Sequence, residues 1–336
     1  MNILLTSVGR RTYMINYFKE ALKGTGLVHA SNSILSYSLL QADKYFITPS
    51  IYEANYIDAL LTYCIGNDID VVISLFDIDL PILALNKSRF EGNGIKLIVS
   101  KIEVLNICND KWNTFLFLKN LGLKQPLTFL HLDDAINALK NKDLKYPVII
   151  KPRWGMGSIG IYYAENKNEL RVFYKKIYKE IFNSYLKYES KKTMTSCIII
   201  QEVIDGQEYG LDIFNDLQGN YITTVAKKKI AMRAGETDIA EIVDSKPFVS
   251  ISKEISCNLK HIANLDIDCF LTEGNEELII LEMNCRFGGQ YPFSHLAGVN
   301  FPLQIIKWIQ EEETDQSLIN AKIGIRGCKD LVPVLF

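Results

Sequence analysis

The sequence predicts a mixed α/β and α+β protein, in which a doubly wound α/β domain is followed by a two-lobed, strand-rich region. Over the first hundred residues, short apolar runs alternate with segments of helical spacing, a pattern typical of repeated β-α-β units. After Cys108 the apolar runs are bounded by Gly, Asn or Asp turn residues, which indicates a series of further strands. A chain of 336 residues suits two or three packed units, and we predict domains at 1–105, 106–203 and 204–336.

The first domain is predicted from its alternating strands and helices. The predicted strands cover residues 3–6, 28–30, 71–75 and 95–99, and the predicted helices cover residues 11–23 and 56–65. The run 71–75 is apolar and β-branched, as expected of a strand buried on both faces of a parallel sheet. Ligands of a doubly wound sheet bind at the carboxyl ends of its strands. Polar residues that follow these strands are therefore candidate substrate contacts.

The rest of the chain is predicted to contain one helix and several short strands. The helix covers residues 110–121 and ends before Gly122, which suits a helix C-terminus. The predicted strands cover residues 148–150, 159–163, 197–200, 209–215, 221–225, 267–272 and 278–283.

Composition and charge exclude several classes of protein. Lys and Arg number 37 and Asp and Glu number 39, so the net charge of −2 argues against binding to nucleic acid or to an anionic membrane. No run approaches the roughly 20 apolar residues that span a bilayer, and the N-terminus lacks a signal-peptide pattern. The seven cysteines are scattered, without a C-x-x-C pair, which favours reduced thiols and a cytoplasmic location.

A lysine at a strand end stands before a glycine-containing loop. Lys151 follows the apolar run 148–150 and precedes Pro152. The loop that follows contains Gly155, Gly157, Ser158 and Gly160. Glycine allows the backbone to approach a polyphosphate closely. The combination of strand, lysine and loop therefore predicts a phosphate-binding site.

The segment after the apolar run 197–200 is a candidate nucleotide-base site. Within Glu202, Val203 and Ile204, a backbone carbonyl and an N–H two residues apart could pair with an adenine edge. Glu208 is placed to reach a ribose diol. The alternative interpretation is an ordinary strand end and turn.

The strongest local signal lies near residue 282. On a strand, Glu282, Asn284 and Arg286 share one face, whereas Leu281 and Met283 are expected to point into the core. A carboxylate and an amide oxygen suit Mg²⁺, and a guanidinium suits phosphate. Asp268, on the preceding predicted strand, could supply a second carboxylate. The alternative is a solvated strand face.

Substrate contacts are predicted at two strand ends of the first domain. Arg10 and Arg11 follow the first strand, and Asp77 and Asp79 follow the run 71–75. An arginine could pair with a substrate carboxylate, while an aspartate could hold its amine or hydroxyl groups. These residues could instead cap helix and loop ends. Arg233, in the basic segment 227–237, is a further candidate for phosphate or an acidic substrate, or a surface residue.

The order of these motifs, from Asp110 and Lys111 to Arg286, resembles the ATP-grasp superfamily. Its carbamoyl-phosphate-synthase-large-subunit-like and biotin-carboxylase-like members are the most similar. The resemblance implies a pre-ATP-grasp domain followed by the two ATP-grasp lobes. It also implies ATP as the nucleotide and Mg²⁺, with Mn²⁺ as an alternative, as the metal. The implied ATP contacts are Lys111, Lys151, Gly155, Gly157, Ser158, Glu202, Val203, Ile204 and Glu208, and the implied metal ligands are Asp268, Glu282 and Asn284.

The resemblance further implies an ADP-forming ligase that activates a carboxylate as an acyl-phosphate and transfers it to an amine, with Lys151 and Arg286 as catalytic residues. The chain holds one such unit, whereas carbamoyl-phosphate synthase needs two, and the C-terminal region is short for a biotin carboxylase. The partners implied are small-molecule acids and amines, and a homodimer is the default assembly. A catalytically silent nucleotide-binding regulator remains the alternative. A dehydrogenase is disfavoured because the first strand lacks a G-x-G-x-x-G loop.

Overall fold

The computed structural model describes residues 1–155, 159–274 and 277–335 of the chain. Its strands form a five-stranded parallel sheet, a four-stranded antiparallel sheet and a six-stranded antiparallel sheet. The predicted fold class, an α/β domain followed by two further lobes, is confirmed. The division of the chain near residues 105 and 203 stays a prediction.

The parallel sheet has the strand order β3-β2-β1-β4-β5. Its strands are β1 (Ile3–Thr6), β2 (Val28–Asn32), β3 (Lys44–Ile47), β4 (Val71–Ser74) and β5 (Lys96–Ile98). The helices around it are α1 (Thr12–Leu22), α2 (Tyr37–Leu40), α3 (Tyr56–Gly66), α4 (Asp79–Leu85), α5 (Lys87–Glu91) and α6 (Ile102–Asn109). All the predicted elements of this domain are present. Strand β3 was not predicted, because it lies at the sheet edge and its side chains are largely exposed.

The four-stranded sheet has the order β6-β9-β7-β8. We call this sheet and its helices the small lobe. Its strands are β6 (Thr128–Phe129), β7 (Val148–Pro152), β8 (Tyr162–Ala164) and β9 (Ile198–Glu202). Helix α7 (Lys111–Asn120) precedes it, and α8 (Leu132–Asn141), α9 (Lys167–Phe182) and α10 (Lys187–Ser190) accompany it. Helix α9 packs against β7 and β8, and the buried apolar side chains around it form a separate core.

The six-stranded sheet, which we call the large sheet, has the order β14-β13-β10-β11-β12-β15. Its strands are β10 (Gln207–Asn215), β11 (Tyr221–Arg233), β12 (Glu236–Val243), β13 (Ala263–Leu271), β14 (Leu278–Asn284) and β15 (Arg326–Cys328). The helices of this region are α11 (Lys246–Leu259), α12 (Tyr291–Leu296) and α13 (Phe301–Ile309). This sheet and the parallel sheet share their cores. The two faces of β1 show this, because Ile3 packs in one cluster with Phe214 and Leu4 packs in the other with Leu211.

Strand β11 is longer than predicted. The predicted strand covers residues 221–225, and three consecutive lysines begin at residue 227. In the structure Lys227 and Lys229 are buried within β11. Lys227 pairs with Asp212 of β10, and Lys229 pairs with Glu208 of β10 and Asp268 of β13. Pairing removes the penalty that would keep a lysine out of a buried strand. Strand β11 therefore continues to Arg233.

Among the described residues, none of the helices combines the length and apolar character needed to cross a membrane.

The buried His261 predicts a pH-dependent stability. Its Nε2 lies 3.2 Å from the Ile213 carbonyl and its Nδ1 lies 3.4 Å from Asn215 Nδ2, partners that suit a neutral ring. Burial lowers the pKa of His261 to about 4. The unfolded chain therefore takes up this proton first as the pH falls. This contribution, about 3 kcal/mol in full, is present above about pH 6.5 and is lost down to about pH 4.

Urea denaturation from pH 7.5 to pH 4 checks this prediction. His261→Gln should flatten the dependence of the unfolding free energy on pH by roughly 1 kcal/mol per pH unit between about pH 6.5 and 4. The exposed His131 is the matched control, and His131→Gln should keep the wild-type slope. An unchanged slope in His261→Gln would contradict the prediction.

Candidate active site

Three connected cavities surround the carboxyl end of β14. The interdomain cavity, of about 500 Å³, lies between the parallel sheet and the small lobe and is defined by Asp77, Asn109 and Trp154. The carboxylate cavity, of about 260 Å³, is defined by Asp266, Asp268, Glu282, Arg286 and Gln290. The lysine cavity, of about 150 Å³, is defined by Lys111, Lys151, Glu208 and Leu281. Asn284 lines the first two cavities, and Glu282 lines the last two.

The start of α7, which carries Lys111, is fixed by a bidentate ion pair between Asp110 and Arg153. Asp110 caps this helix by accepting a hydrogen bond from the Trp112 N–H at 3.0 Å. The same carboxylate accepts two bonds from Arg153, at 2.7 and 2.6 Å. Lys111 Nζ donates to the Gly155 carbonyl at 2.6 Å and lies 3.4 Å from Glu282 Oε2. The helix start, the loop after β7 and strand β14 therefore meet at this ammonium.

Lys151 is buried in β7 and faces the same cavity. Burial, reinforced by the nearby Lys111, lowers the pKa of Lys151 to about 8. Burial alone would raise the pKa of Glu282, but Lys111 and Lys151 outweigh it and bring that pKa down to about 2. Two cations thus face an ionised carboxylate in one cavity, an arrangement suited to binding a polyphosphate beside a metal ion.

Strand β14 presents its side chains differently from the predicted alternation at one position. Asp268 pairs with Glu282 and Cys269 pairs with Ile280, which leaves Leu281 as the extra residue of a bulge. Met283 is buried, as predicted, but Leu281 lines the lysine cavity. The predicted core position of Leu281 is therefore wrong, because the bulge turns its side chain to the cavity.

Asp268 lies at the centre of a charged network. Its Oδ1 accepts from Lys229 Nζ at 2.6 Å and from Gln290 Nε2 at 3.2 Å, and Lys229 also pairs with Glu208 at 2.7 Å. Burial, together with the nearby carboxylates of Asp266 and Glu282, raises the pKa of Asp268 to about 6, although Lys229 opposes this shift. Burial would lower the pKa of Lys229, but Asp268 and Glu208 raise it.

Arg286 joins the large sheet to the parallel sheet. Its Nε donates to Asp77 Oδ2 at 3.0 Å and its Nη1 donates to Asp266 Oδ2 at 2.8 Å. All three side chains are at most 9% exposed. A Cβ on Gly288 would lie 2.1 Å from the Asp266 carboxylate, so glycine is required there for this carboxylate to reach Arg286.

The oxygen ligands near β14 fit a magnesium ion that arrives with a nucleotide. No cluster of three His, Cys, Asp or Glu with metal-binding geometry occurs among residues 1–155, 159–274 and 277–335. Asp268 and Glu282 are opposite each other on paired strands, and Asn284 Nδ2 donates to Glu282 Oε1 at 3.2 Å. Two carboxylates suffice where phosphate oxygens and water complete the octahedron, which is how Mg²⁺ is usually held.

The other predicted residues are distributed around these cavities. Gly155 lines the lysine cavity, Arg11 lines the carboxylate cavity and Asp77 lines the interdomain cavity. Arg10 is exposed, and Arg233 is 54% exposed and paired with Asp238. Neither of these arginines lines the three cavities. The predicted base contacts lie outside the three cavity linings: Glu202 is the last residue of β9, and Val203 and Ile204 follow it. Gly157 and Ser158 lie outside the described residues.

Asp79 does not reach any of the three cavities. Its carboxylate is fully buried and accepts hydrogen bonds from Thr6, Ser74 and Tyr56 at 2.5, 2.9 and 2.7 Å. Ser7 donates to it as well, at 3.1 Å. Burial raises the pKa of Asp79. The predicted substrate contact at this position is therefore corrected, because its hydrogen bonds are used within the N-terminal domain.

Sequence reasoning missed three residues of the site. Lys229 was treated as part of a basic segment, and Asp266 and Gln290 received no role. A Cβ on Gly210 would lie 1.4 Å from Gln290 Oε1, so the side chain of Gln290 rests directly on strand β10. The glycines at 210 and 288 were the available signal, since each leaves room for a site side chain.

Replacement of Arg286 should destabilise the fold. Arg286→Gln leaves Asp77 and Asp266 buried without their cation, and breaking such a pair costs about 3–5 kcal/mol. Arg233 is the control, because its exposed pair with Asp238 is worth about 1 kcal/mol or less. Urea denaturation of Arg286→Gln and Arg233→Gln measures both losses. Equal losses in the two variants would show that Arg286 does not tie the two sheets together.

Curated relatives of the chain include carbamoyl-phosphate synthases. The carbamoyl-phosphate synthase of Methanobrevibacter smithii is 22% identical over 320 residues, which cover 89% of this chain and 78% of that protein. The arginine-specific large chain of carbamoyl phosphate synthase from Bacillus subtilis is 21% identical over 218 residues, which cover 62% of this chain. The match spans only 20% of that large chain.

Solved structures share the fold over almost the whole chain. The biotin carboxylase of Campylobacter jejuni, solved as a β-γ-ATP complex, has a TM-score of 0.75 at 17% identity, covering 97% of this chain and 74% of that one. The biotin carboxylase domain of a Hydrogenobacter thermophilus 2-oxoglutarate carboxylase, solved with MgADP and bicarbonate, has a TM-score of 0.74 at 16% identity, covering 97% and 73%. An L-amino acid ligase of Bacillus licheniformis has a TM-score of 0.68 at 17% identity, covering 95% and 77%.

Two family models match the chain. The model of the PylC-like N-terminal domain matches residues 3–98, and the model of the ATP-grasp domain matches residues 144–292. The first match covers the parallel sheet, and the second covers Lys151, Glu208, Asp268, Glu282 and Arg286. The resemblance found in the sequence is confirmed. The chain therefore contains a PylC-like N-terminal domain followed by an ATP-grasp domain.

Proposed function

We propose that this protein is an ADP-forming ligase that uses Mg-ATP to activate a carboxylate and joins the acyl group to an amine. The observation that carries the proposal is the lysine cavity, in which Lys111 and Lys151 face Glu282 inside an ATP-grasp domain. Two lysines and one carboxylate in a common cavity suit phosphate oxygens bridged by a metal ion.

The nucleotide would lie between the small lobe and the large sheet. Lys111, Lys151 and the backbone around Gly155 would hold its phosphates. The adenine would pair with the backbone of residues 202–204, through the Glu202 carbonyl and the Ile204 N–H, since the Glu202 N–H already donates to the Leu127 carbonyl at 2.9 Å. Glu208, oriented by its bond to Lys229, would accept hydrogen bonds from the ribose hydroxyls.

The metal ligands in this proposal are Asp268, Glu282 and Asn284. A bound Mg²⁺ would neutralise the phosphate charge that develops during transfer. Asn284 donates to Glu282 through its amide nitrogen, so its amide oxygen is free to turn to the ion. Lys229 and Gln290 orient Asp268 from the other side.

The reaction would occur in two displacements. A carboxylate oxygen attacks the γ-phosphorus of ATP, the bond to the bridging oxygen breaks, and ADP departs. The amine, after its ammonium form has lost a proton to solvent, attacks the acyl carbon through its nitrogen, the bond to the phosphate oxygen breaks, and phosphate departs with release of a second proton. Lys151 and Arg286 contribute fixed positive charge beside the transferred groups, which favours the transition state without a protein nucleophile. Arg11, which lines the carboxylate cavity, is the residue we assign to the acid substrate.

Carbamoyl phosphate synthesis is not the reaction that we propose. Carbamoyl-phosphate synthase carries out two phosphorylations with two ATP-grasp units, and one ATP-grasp domain is matched in this chain. An acid–amine ligation needs one phosphorylation, which a single domain can perform. The structural neighbour from Bacillus licheniformis is an L-amino acid ligase, a name that fits a ligation of this type.

Nucleotide binding gives the first test. Mg-ATP at about a hundred times its dissociation constant should stabilise the protein by about 2.7 kcal/mol and raise its melting temperature by about 5 °C. NADH should cause no shift, because the site has no dinucleotide loop. Differential scanning fluorimetry with each nucleotide measures this. Equal shifts of the melting temperature with both nucleotides, or no shift with Mg-ATP, would contradict the proposal.

Variants of β14 test the chemistry. Glu282→Gln and Asn284→Ala should each lower ADP release by about 100-fold or more, because each removes a group that acts on the developing phosphate charge. Glu277→Gln, on the same hairpin and 45% exposed, should keep wild-type turnover. The assay is ADP release over a matrix of acids and amines. A protein that binds Mg-ATP but releases no ADP with any pair would be the silent regulator instead.

A further inference from the structure

The interdomain cavity is the largest of the three and is not used by the nucleotide in the proposal above. Its walls come from the N-terminal domain, from α6 and from the small lobe. The N-terminal domain and the small lobe touch where the ring of Tyr52 stacks on that of Tyr188, with centroids 3.7 Å apart. Asn284 and Lys111 also line it, so it opens to the end of β14 where the acyl-phosphate would form. Its volume of about 500 Å³ is typical of a small-molecule site.

Four residues that line this cavity each have a buried side-chain oxygen atom without a hydrogen-bond partner among the described residues. They are Tyr52, Asp77, Asn109 and Thr193. Asp77 is 4% exposed, and its Oδ2 is bound by Arg286 while its Oδ1 has no partner. Asn109 donates to the Asp77 backbone carbonyl at 2.7 Å, so its unpartnered atom is the acceptor Oδ1. Buried polar atoms are normally paired, and the two acceptors Asp77 Oδ1 and Asn109 Oδ1 call for a donor.

The charges of the cavity point to a cationic donor. Five charged residues line it, and the four besides Asp77 have their charged groups bound by other residues. Asp110 binds Arg153, Lys111 binds the Gly155 carbonyl and Glu282, and Glu189 binds Lys192 at 2.9 Å. Asp77 Oδ1 is therefore the anionic atom left for a ligand. An ammonium group would give this carboxylate a charge-assisted hydrogen bond.

The rest of the lining is largely apolar. It includes Ile78, Pro81, Ile82, Leu85, Trp154 and Leu186. An apolar group of a ligand would gain roughly 25 cal/mol per Å² of surface that it buries there. A small hydrophilic amine would leave these side chains without a partner.

We propose that the interdomain cavity binds the amine substrate, and that this substrate is a primary ammonium compound with an aliphatic or aromatic body. The ammonium is held by Asp77 Oδ1 and Asn109 Oδ1, and the body lies against Ile82 and Trp154. This inference rests on the proposed ligase function. It adds that the amine enters from the N-terminal side of β14, whereas the acid approaches from the carboxylate cavity.

Isothermal titration calorimetry at pH 7 with three probes tests the inference. The probes are 2-phenylethylamine, which is protonated at this pH, 3-phenylpropionate, which has the same body with a negative charge, and ethanolamine, which lacks the body. We expect 2-phenylethylamine to bind at least about tenfold more tightly than either of the others. Equal or tighter binding of 3-phenylpropionate, or no saturable binding of 2-phenylethylamine, would overturn the inference.

Two variants and a control locate the binding. Asp77→Asn removes the charge, and Ile82→Trp fills the space, and each should weaken 2-phenylethylamine by at least about tenfold. Asp134→Asn is the matched control, because Asp134 is exposed on α8 and lines none of the three cavities, and it should keep wild-type affinity. Two variants are used because Asp77 also binds Arg286. If Asp77→Asn does not fold, Ile82→Trp alone tests the inference. Unchanged affinity in the folded variants would place the amine elsewhere and overturn the inference.

The melting temperature with Mg-ATP separates the two proposals. A wild-type protein that is stabilised by Mg-ATP but does not bind 2-phenylethylamine would keep the ligase proposal and overturn the amine site. A protein that binds 2-phenylethylamine in the cavity but is not stabilised by Mg-ATP would overturn both the ligase and the role of the amine as its substrate.

Discussion

The ion pairs of Arg286 are the constraint on which the rest of the site depends. One guanidinium binds Asp77, which follows β4 of the parallel sheet, and Asp266, which belongs to β13 of the large sheet. Burial would lower the pKa of Arg286, but the two carboxylates raise it above its usual range, so the group stays charged. This contact fixes the end of β14 against the N-terminal domain. The three cavities meet at the same point because this end is fixed.

The buried lysines of β11 serve the large sheet in the same manner. Lys227 is fully buried and pairs with Asp212, which also accepts from Ser294 at 2.5 Å. Two residues further along, Lys229 pairs with Asp268 and Glu208 at the cavity. Because β-strand side chains alternate in steps of two, both lysines lie on one face of β11. One structural ion pair and two ion pairs of the site are thus set by a single register of the strand.

The sequence was sufficient for most of the strands and for most of the charged groups of the site, because strand ends and apolar runs are local signals. It was insufficient where a position depends on a neighbouring strand. Leu281 faces the lysine cavity because of a bulge opposite Asp268 and Cys269, which no local pattern encodes. Asp79 follows a strand end as Asp77 does, yet it is buried and bound by four hydroxyl groups, which come from residues 6–7, from α3 and from β4. Only the packed structure distinguishes these two aspartates.

The geometry of two cavities is set by the ion pair between Asp110 and Arg153. Arg153, Trp154 and Gly155 are consecutive, and the bidentate bond fixes the first of them to the start of α7. The guanidinium also lies over the Trp154 ring, 4.5 Å from its centroid, so the ring is held against the interdomain cavity. Gly155 receives Lys111 Nζ in the lysine cavity. Because a bidentate pair fixes orientation as well as distance, a shift of this loop would move the walls of both cavities together, and the two cavities are mechanically linked through three residues.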